Sequence, residues 1–337
     1  MPASAEKPRE VTGTNPAALP ASVLESSEPL VLRGLAAHWP MVREARKSTA
    51  AATAYLRRFY RDASVAVMSA PPELEGRFFY NDDLSGFNFK VLKEKLDVIL
   101  GELERLALSG HAPAVYVGST TLDTALPGLR AENDFNFGVR NPLASIWIGN
   151  RARIAAHQDL PDNLACVVAG HRRFTLFPPE EVGNLYVGPL EFTPAGQPIS
   201  LVDFKNPDFT RFPKFAQALQ CAQVVELGPG DALFIPSMWW HHIESLDEFN
   251  VLVNYWWRQS PAYMDSPIGA LMFTLMTVRD LPPAQRAVWA ELFRHYVFEA
   301  NETTAAHIPE QARRLLGALD ANLMRELRAS LLARLNR

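Results

Sequence analysis

From Ala114 to Trp257 the chain breaks into short apolar or β-branched runs separated by turn residues: AVYVG, ASIWIGN, NLACVVAG, RRFTLFPP, AQVVELGPGDALFIP and NVLVNYWW. Runs this short and this closely spaced predict strands, and six or more of them over roughly 140 residues predict an antiparallel barrel or double sheet. Between Tyr186 and Gln223 the pattern lapses, with five prolines among Gly, Asn and Asp, so a long insertion between strands is expected there.

The flanks read differently. The opening residues are rich in Pro, Ala, Ser and Glu and predict a loosely held arm before SEPLVLRG, the first strand-like run. A helix is expected at about Thr49 to Tyr60. Residues 89–108, FKVLKEKLDVILGELERLAL, carry apolar positions at three- and four-residue spacing and predict an amphipathic helix, weakened at Gly101. After Tyr263 the helical period returns in GALMFTLMTVRDL, PAQRAVWAELFRHYVFEA, PEQARRLLGALD and ANLMRELRASLLARLNR, predicting three or four helices. So short a helical stretch is a poor domain by itself, and its apolar faces must cover the barrel or pair with a second copy. The implied organisation is a flanking region over 1–113, a barrel over 114–262 and a helical extension over 263–337.

The 337 residues, 48% hydrophobic and 21% charged, fit one large domain with an appendage, and a formal net charge of -4 gives no general reason to expect nucleic-acid binding. Cys166 and Cys221 are too few for a disulfide framework and lack thiolate-zinc spacing. No signal-peptide pattern opens the sequence, and nowhere do about eighteen apolar residues run together, so no membrane association and a soluble, cytoplasmic protein are expected.

Two stretches carry chemistry. In Ala156-His157-Gln158-Asp159, extended backbone would put His157 and Asp159 on one face and Gln158 on the other. About eighty residues later, PSMWWHHIES offers His241 and His242, of which one alone can reach a shared centre, because strand neighbours point to opposite faces. Two histidines and one carboxylate would form a facial triad with three open positions, the arrangement of non-haem Fe(II) oxygenases. An isolated HxD is weak evidence, but the strand after the Gly-Pro-Gly-Asp turn delivers a histidine where opposite strands of a barrel would bring ligands together.

In order and spacing, AHQDLPDNLACVVAGHRRFTLFPPEEVGNLY, VDFKNPDFTRFPKF, VVELGPGDALFIPSMWWHHIES and NVLVNYWW resemble the JmjC and cupin-like 2-oxoglutarate-dependent Fe(II) oxygenases, and within them the factor-inhibiting-HIF type of asparaginyl hydroxylase. The resemblance spans about Ala114 to Trp257. It implies a mainly β fold with helices, a double-stranded β-helix (jelly-roll) core and a C-terminal helical extension that forms a homodimer. It implies a dioxygenase using Fe(II), 2-oxoglutarate and O2, most often hydroxylating a protein side chain. By the same resemblance His241 joins His157 and Asp159 as a metal ligand. Arg172, at a strand position where close relatives carry lysine, would meet the far carboxylate of 2-oxoglutarate, with Arg173 as the competing candidate. Asn163, Tyr116, Asn254 and Trp256 match residues lining the cosubstrate site, and Trp239, Trp240, Tyr255 and Trp256 would supply a dry aromatic wall.

The departures concern the substrate. Ile154 stands where the asparaginyl hydroxylases carry a cosubstrate-binding threonine, and Pro198-Ile199 replaces the Arg-Gln pair that grips their peptide. Alternatives are hydroxylation of an RNA base or small metabolite, a non-catalytic ligand-binding cupin, and a zinc hydrolase. The loop from Val187 to Pro213 and the aromatic residues Phe78, Phe79 and Tyr80 are the expected walls of the substrate groove.

Overall fold

The computed structural model describes residues 6–336. Its strands are β1 (Arg9–Val11), β2 (Leu30–Leu32), β3 (Ser64–Ala70), β4 (Arg77–Phe78), β5 (Lys90–Lys95), β6 (Ala114–Thr121), β7 (Leu143–Gly149), β8 (Ala152–His157), β9 (Asp162–Ala169) and β10 (Arg172–Phe177). After the insertion come β11 (Gln223–Leu227), β12 (Ala232–Ile235), β13 (Trp240–Ser245) and β14 (Asn250–Trp257). Two sheets result, one ordered β1-β2-β12-β9-β14-β7-β6-β3-β5 and the other β11-β10-β13-β8-β4. This is a mainly β jelly roll with helices packed on its outside.

Alternation along each strand assigns side chains to layers. In β14, Leu252, Asn254 and Trp256 face the space between the sheets, while Val251, Val253, Tyr255 and Trp257 join the core outside the larger sheet. The inter-sheet core is built from Ala165, Val167, Phe174, Leu176, Leu233 and Leu252 among others. Outside the larger sheet, the helix Leu96–Leu106 buries Leu96, Ile99, Leu100, Leu103 and Leu106, one stripe at helical spacing. Each such side chain contributes about 1.5–3 kcal/mol of burial free energy. Outside the smaller sheet, Phe177 and Trp240 pack with Phe204, Phe212 and Phe215 of the insertion.

Three sequence expectations change. Residues 90–95 are an edge strand paired to β3, not the first half of a helix; they are exposed on both faces, and the buried helical stripe begins only at Leu96. The described part of the opening arm is tied down: Glu6 bridges to Gln223 and β1 pairs in parallel with β2. The first five residues lie outside the described ones. Finally, PEQARRLLGALD makes only the short turns Glu310–Ala312 and Arg314–Leu316, its arginines and the flanking Pro309 and Gly317 leaving no sustained apolar stripe.

Residues through Arg258 form one compact unit, which therefore includes the strands that precede Ala114, and those from Gln259 form a second. The second contains helices at Pro267–Thr277, Pro283–Phe293 and Ala321–Leu335. They expose large apolar side chains, among them Met272, Met276, Val288, Trp289 and Leu332. No helix is long and apolar enough to cross a membrane among the described residues.

Candidate metal centre and cavity

The double Trp, double His sequence is resolved by strand alternation in β13. His241 and Ile243 point into the inter-sheet cavity, whereas Trp240 and His242 point outward into the core beneath the insertion. His241 sits opposite His157 in the β13–β8 register, with ring centroids 4.2 Å apart. Asp159 lies two residues past His157, where the chain has left the strand, and its Oδ2 is 3.6 Å from His241 Nε2. One ligand atom from each of His157, Asp159 and His241 lies within 4.8 Å of the others, so the set can hold one ion.

Local hydrogen bonds prepare this set. His157 Nδ1 is 2.9 Å from the carbonyl of Ala155, and His241 Nδ1 is 2.9 Å from that of Trp239. A carbonyl only accepts, so each Nδ1 carries the proton and each Nε2 keeps a lone pair for a metal. Burial, with the charge of His241, pushes the His157 pKa down to about 4. For Asp159, burial works upward, but the two imidazoles beside it and the Trp256 N–H outweigh it and hold the pKa at about 2. At neutral pH the pair is thus a neutral imidazole and a carboxylate.

The turn before β13 is stapled to the turn after β8. Met238 N–H donates to the Asp159 carbonyl at 2.9 Å, Gln158 Nε2 donates to the Met238 carbonyl at 2.6 Å, and Ser237 Oγ donates to the Leu160 carbonyl at 2.5 Å. Met238 adopts φ 67°, a left-handed conformation unusual for a side chain of its size. Two ligand-bearing segments nearly eighty residues apart are thereby fixed to each other.

The cavity of about 240 Å3 is lined by all eight residues named from the sequence: His157, Asp159, His241, Arg172, Asn163, Tyr116, Asn254 and Trp256. Arg172 is the first residue of β10 and is only 1% exposed. Burial pushes its pKa down, while Tyr116 beside it acts in the opposite sense; a guanidinium stays charged regardless. Its Nε and Nη2 have no partner in the protein. Arg173, on the other face of the strand, is engaged by Glu226 at 2.6 Å and Glu244 at 3.3 Å and takes no part in the cavity.

Asn254 Nδ2 donates to Asn163 Oδ1 at 3.2 Å and accepts at Oδ1 from Trp147 Nε1 at 2.8 Å. Trp147 was not singled out by sequence, although ASIWIGN alternates; which face of that strand looks inward is decided by its neighbours. The aromatic wall is also different from the expected one. Phe78, Tyr116, Trp147 and Trp256 line the cavity, while Trp239 packs in the inter-sheet core, Trp240 beneath the insertion and Tyr255 outside the larger sheet. The adjacent strand positions 255 and 256 must face opposite ways, and the same holds for 239 and 240 about their turn.

Trp256 Nε1 donates to Asp159 Oδ2 at 3.2 Å, so it orients a carboxylate of the metal set. Hydrogen bonds from outside a metal's ligand shell are worth 10–100-fold in affinity. Trp256→Phe is therefore expected to bind Co(II) about tenfold more weakly in an absorption titration, with its thermal midpoint little changed; unaltered affinity would show that the indole only fills space.

The sequence profile of the cupin-like domain matches residues 16–263. Among curated proteins the chain is similar to lysine-specific demethylase JMJ31 of Arabidopsis thaliana, 36% identical over 37% of this chain and 24% of that protein. It is similar to HSPB1-associated protein 1 of Rattus norvegicus, 39% identical over 44% of this chain and 32% of that protein. It also resembles tRNA wybutosine-synthesizing protein 5 of Danio rerio, 30% identical over 46% of each chain. The matched region thus spans from about a quarter to about half of these relatives' lengths. Since the profile covers most of the sequence, including every cavity-lining residue, the chain belongs to the cupin-like domain family.

Proposed function

We propose that the protein is an Fe(II)- and 2-oxoglutarate-dependent dioxygenase that hydroxylates a protein side chain. The observation that carries this reading is Arg172, a buried guanidinium with two unpartnered nitrogens in the same cavity as a two-histidine, one-carboxylate set. A buried cation without an anion costs several kcal/mol, so the site is built for an anionic guest. Along β13, Arg172 stands opposite Ser245, four residues from His241, roughly 13 Å of strand. The arginine side chain and an extended five-carbon dicarboxylate together bridge that gap.

In this reading His157, Asp159 and His241 hold Fe(II), and Arg172 holds the distal carboxylate with Tyr116 beside it. Asn163 and Asn254, cross-linked to each other and to Trp147, present fixed amides to the cosubstrate. Ile154 lines the cavity without a hydrogen-bonding group, so the grip on that carboxylate rests on arginine, whose planar fork meets both oxygens. With metal and cosubstrate bound, the chemistry supplied is the oxidative decarboxylation of 2-oxoglutarate to succinate and CO2 coupled to C–H hydroxylation, one atom of O2 entering each organic product. The protein's part is to leave one coordination face open, orient the groups and exclude water behind the aromatic wall.

The exposed apolar helices after Gln259 support a homodimer, and two reduced thiols support a cytoplasmic setting. Hydroxylation of an RNA base is the second reading, favoured by the similarity to the wybutosine-synthesizing protein; the net charge of -4 favours a protein substrate instead.

The test is anaerobic addition of Fe(II) and 2-oxoglutarate, followed by air. A visible charge-transfer band and then succinate formation are expected. A protein that forms no band and makes no succinate with any added substrate would be a binding module, and one that retains only zinc would point to hydrolysis.

A further inference from the structure

The cavity has a roof whose chemistry bears on the substrate. From Val187 to Ser200 the chain folds back on itself: Val187 bridges to Ser200, Gly188 N–H donates to the Ile199 carbonyl at 2.9 Å, and Ile199 in turn bridges to His157. The far part of this loop is clasped. Tyr80 Oη donates to the Phe192 carbonyl at 2.5 Å, and the Phe192 ring stacks on Phe87 at 4.8 Å with planes 16° apart. Pro194, Ala195, Gln197 and Ile199 are thereby held over the metal set as part of the cavity lining.

The charged side chains lining the cavity, among the described residues, are Asp159 and Arg172 alone. Under the dioxygenase reading, on which this inference rests, both are spent: Asp159 on the metal and Arg172 on the cosubstrate. No carboxylate remains for a cationic substrate group and no cation for an anionic one. Asn163, Asn254 and Trp147 bond to one another, and Ser119 Oγ donates to Ser145 Oγ at 3.2 Å. The Gln197 amide is left in the roof, with Met68, Phe78 and Ile199 as apolar walls. Bringing an unpaired ammonium or carboxylate here would cost several kcal/mol.

Size points the same way. At about 240 Å3, the cavity is smaller than the roughly 300 Å3 at which pockets for drug-sized ligands begin, and 2-oxoglutarate must fit within it. What is left is small, which favours a single side chain over a purine-sized ring system.

We propose that the substrate is a polypeptide presenting one uncharged, mainly apolar side chain beneath the 187–200 roof, with the Gln197 amide as its hydrogen-bonding partner. The reaction replaces one C–H of that side chain by C–OH, while 2-oxoglutarate, the co-reductant, takes the second oxygen atom as succinate and loses CO2. An aromatic cage for a methylated ammonium is the arrangement that competes with this one.

The experiment uses the full-length Fe(II)-loaded protein, 2-oxoglutarate and blocked pentapeptides with a single variable residue: Leu, Ile, Val or Phe; Lys, trimethyl-lysine or Arg; Asp or Glu. Bulk tRNA is a further arm. Succinate formation above the peptide-free rate and a mass gain of one oxygen are the readouts. The apolar pool is expected to stimulate turnover at least about tenfold more than either charged pool, the discrimination that an unpaired buried charge imposes. In Gln197→Glu the roof gains a carboxylate and the lysine pool is expected to become a stimulator. Best stimulation by a charged pool or by tRNA overturns the proposal, as does stimulation by none while the Fe(II)–2-oxoglutarate band is present. Absence of the band itself overturns the underlying dioxygenase reading, and the inference with it. A Gln197→Glu protein that keeps its band and stays unresponsive to the lysine pool removes Gln197 from the substrate wall.

Discussion

Replacing His241 by alanine is expected to lower metal affinity by more than about 100-fold, since loss of even an outer-shell partner costs 10–100-fold, and to abolish succinate formation. His241 supplies one of three donors, and His157 and Asp159 alone leave the ion with too few protein contacts. The apo protein is also expected to lose about 1 kcal/mol, the usual cost of a point substitution, because a buried imidazole is truncated. Isothermal titration with Mn(II) reads the first effect, and denaturant unfolding reads the second. The adjacent variant makes the experiment specific. His242 lies on the opposite face against the Phe204 ring, 4.6 Å away, and burial pushes its pKa down to about 3. His242→Ala should keep Mn(II) affinity and lose only packing stability. Reversal of the two outcomes would mean that β13 is out of register by one residue, since a one-residue slip exchanges the two faces.

That register explains how much the sequence discloses. The strands of the double sheet are legible because β9, β10 and β14 are short, apolar and bounded by turns, and the metal set because His157 and Asp159 share HxD spacing. Arg172, Asn163 and Asn254 were legible only through family resemblance; nothing local distinguishes them from ordinary strand polar residues. The aromatic wall was misread because Trp239, Trp240 and Tyr255 are chemically suited to it and differ from Trp256 only in which face they occupy. Face assignment depends on pairing partners, which composition does not contain. Residues 90–95 misled for a related reason: a mixed apolar and charged run satisfies helical spacing until the free edge of β3 offers a strand partner. The roof was unreadable in detail, because the Phe192 clasp joins it to Tyr80 and Phe87 across more than a hundred residues.

Arg172→Met is expected to move stability and ligand affinity in opposite directions. Without 2-oxoglutarate, the native guanidinium keeps two buried nitrogens unpaired, and methionine can occupy much of the same volume without a charge. The apo variant should therefore be as stable as the parent or more so, by up to about 4 kcal/mol where apolar side chains replace buried charges. The counterweight is Tyr116, whose hydroxyl loses the guanidinium beside it; a lost hydrogen bond to a charged group costs about 1.5–3 kcal/mol. With the cosubstrate the order inverts. Deleting the partner of a buried charge pair costs about 2–5 kcal/mol, which raises the dissociation constant for 2-oxoglutarate about 30-fold to several thousand-fold. The two effects separate in one set of melting curves. At 100 times its dissociation constant a ligand adds about 2.7 kcal/mol to the parent, while the variant at the same concentration should gain less than about 1 kcal/mol. Arg172→Lys should recover part of that gain as a point charge without the fork. A variant that melts far below the parent in the absence of 2-oxoglutarate would show that the arginine serves the fold. Under that outcome the cavity would lose its reason for an anionic guest, whereas apo stability retained alongside lost ligand stabilisation is the thermodynamic signature of a side chain held unpaired for its ligand.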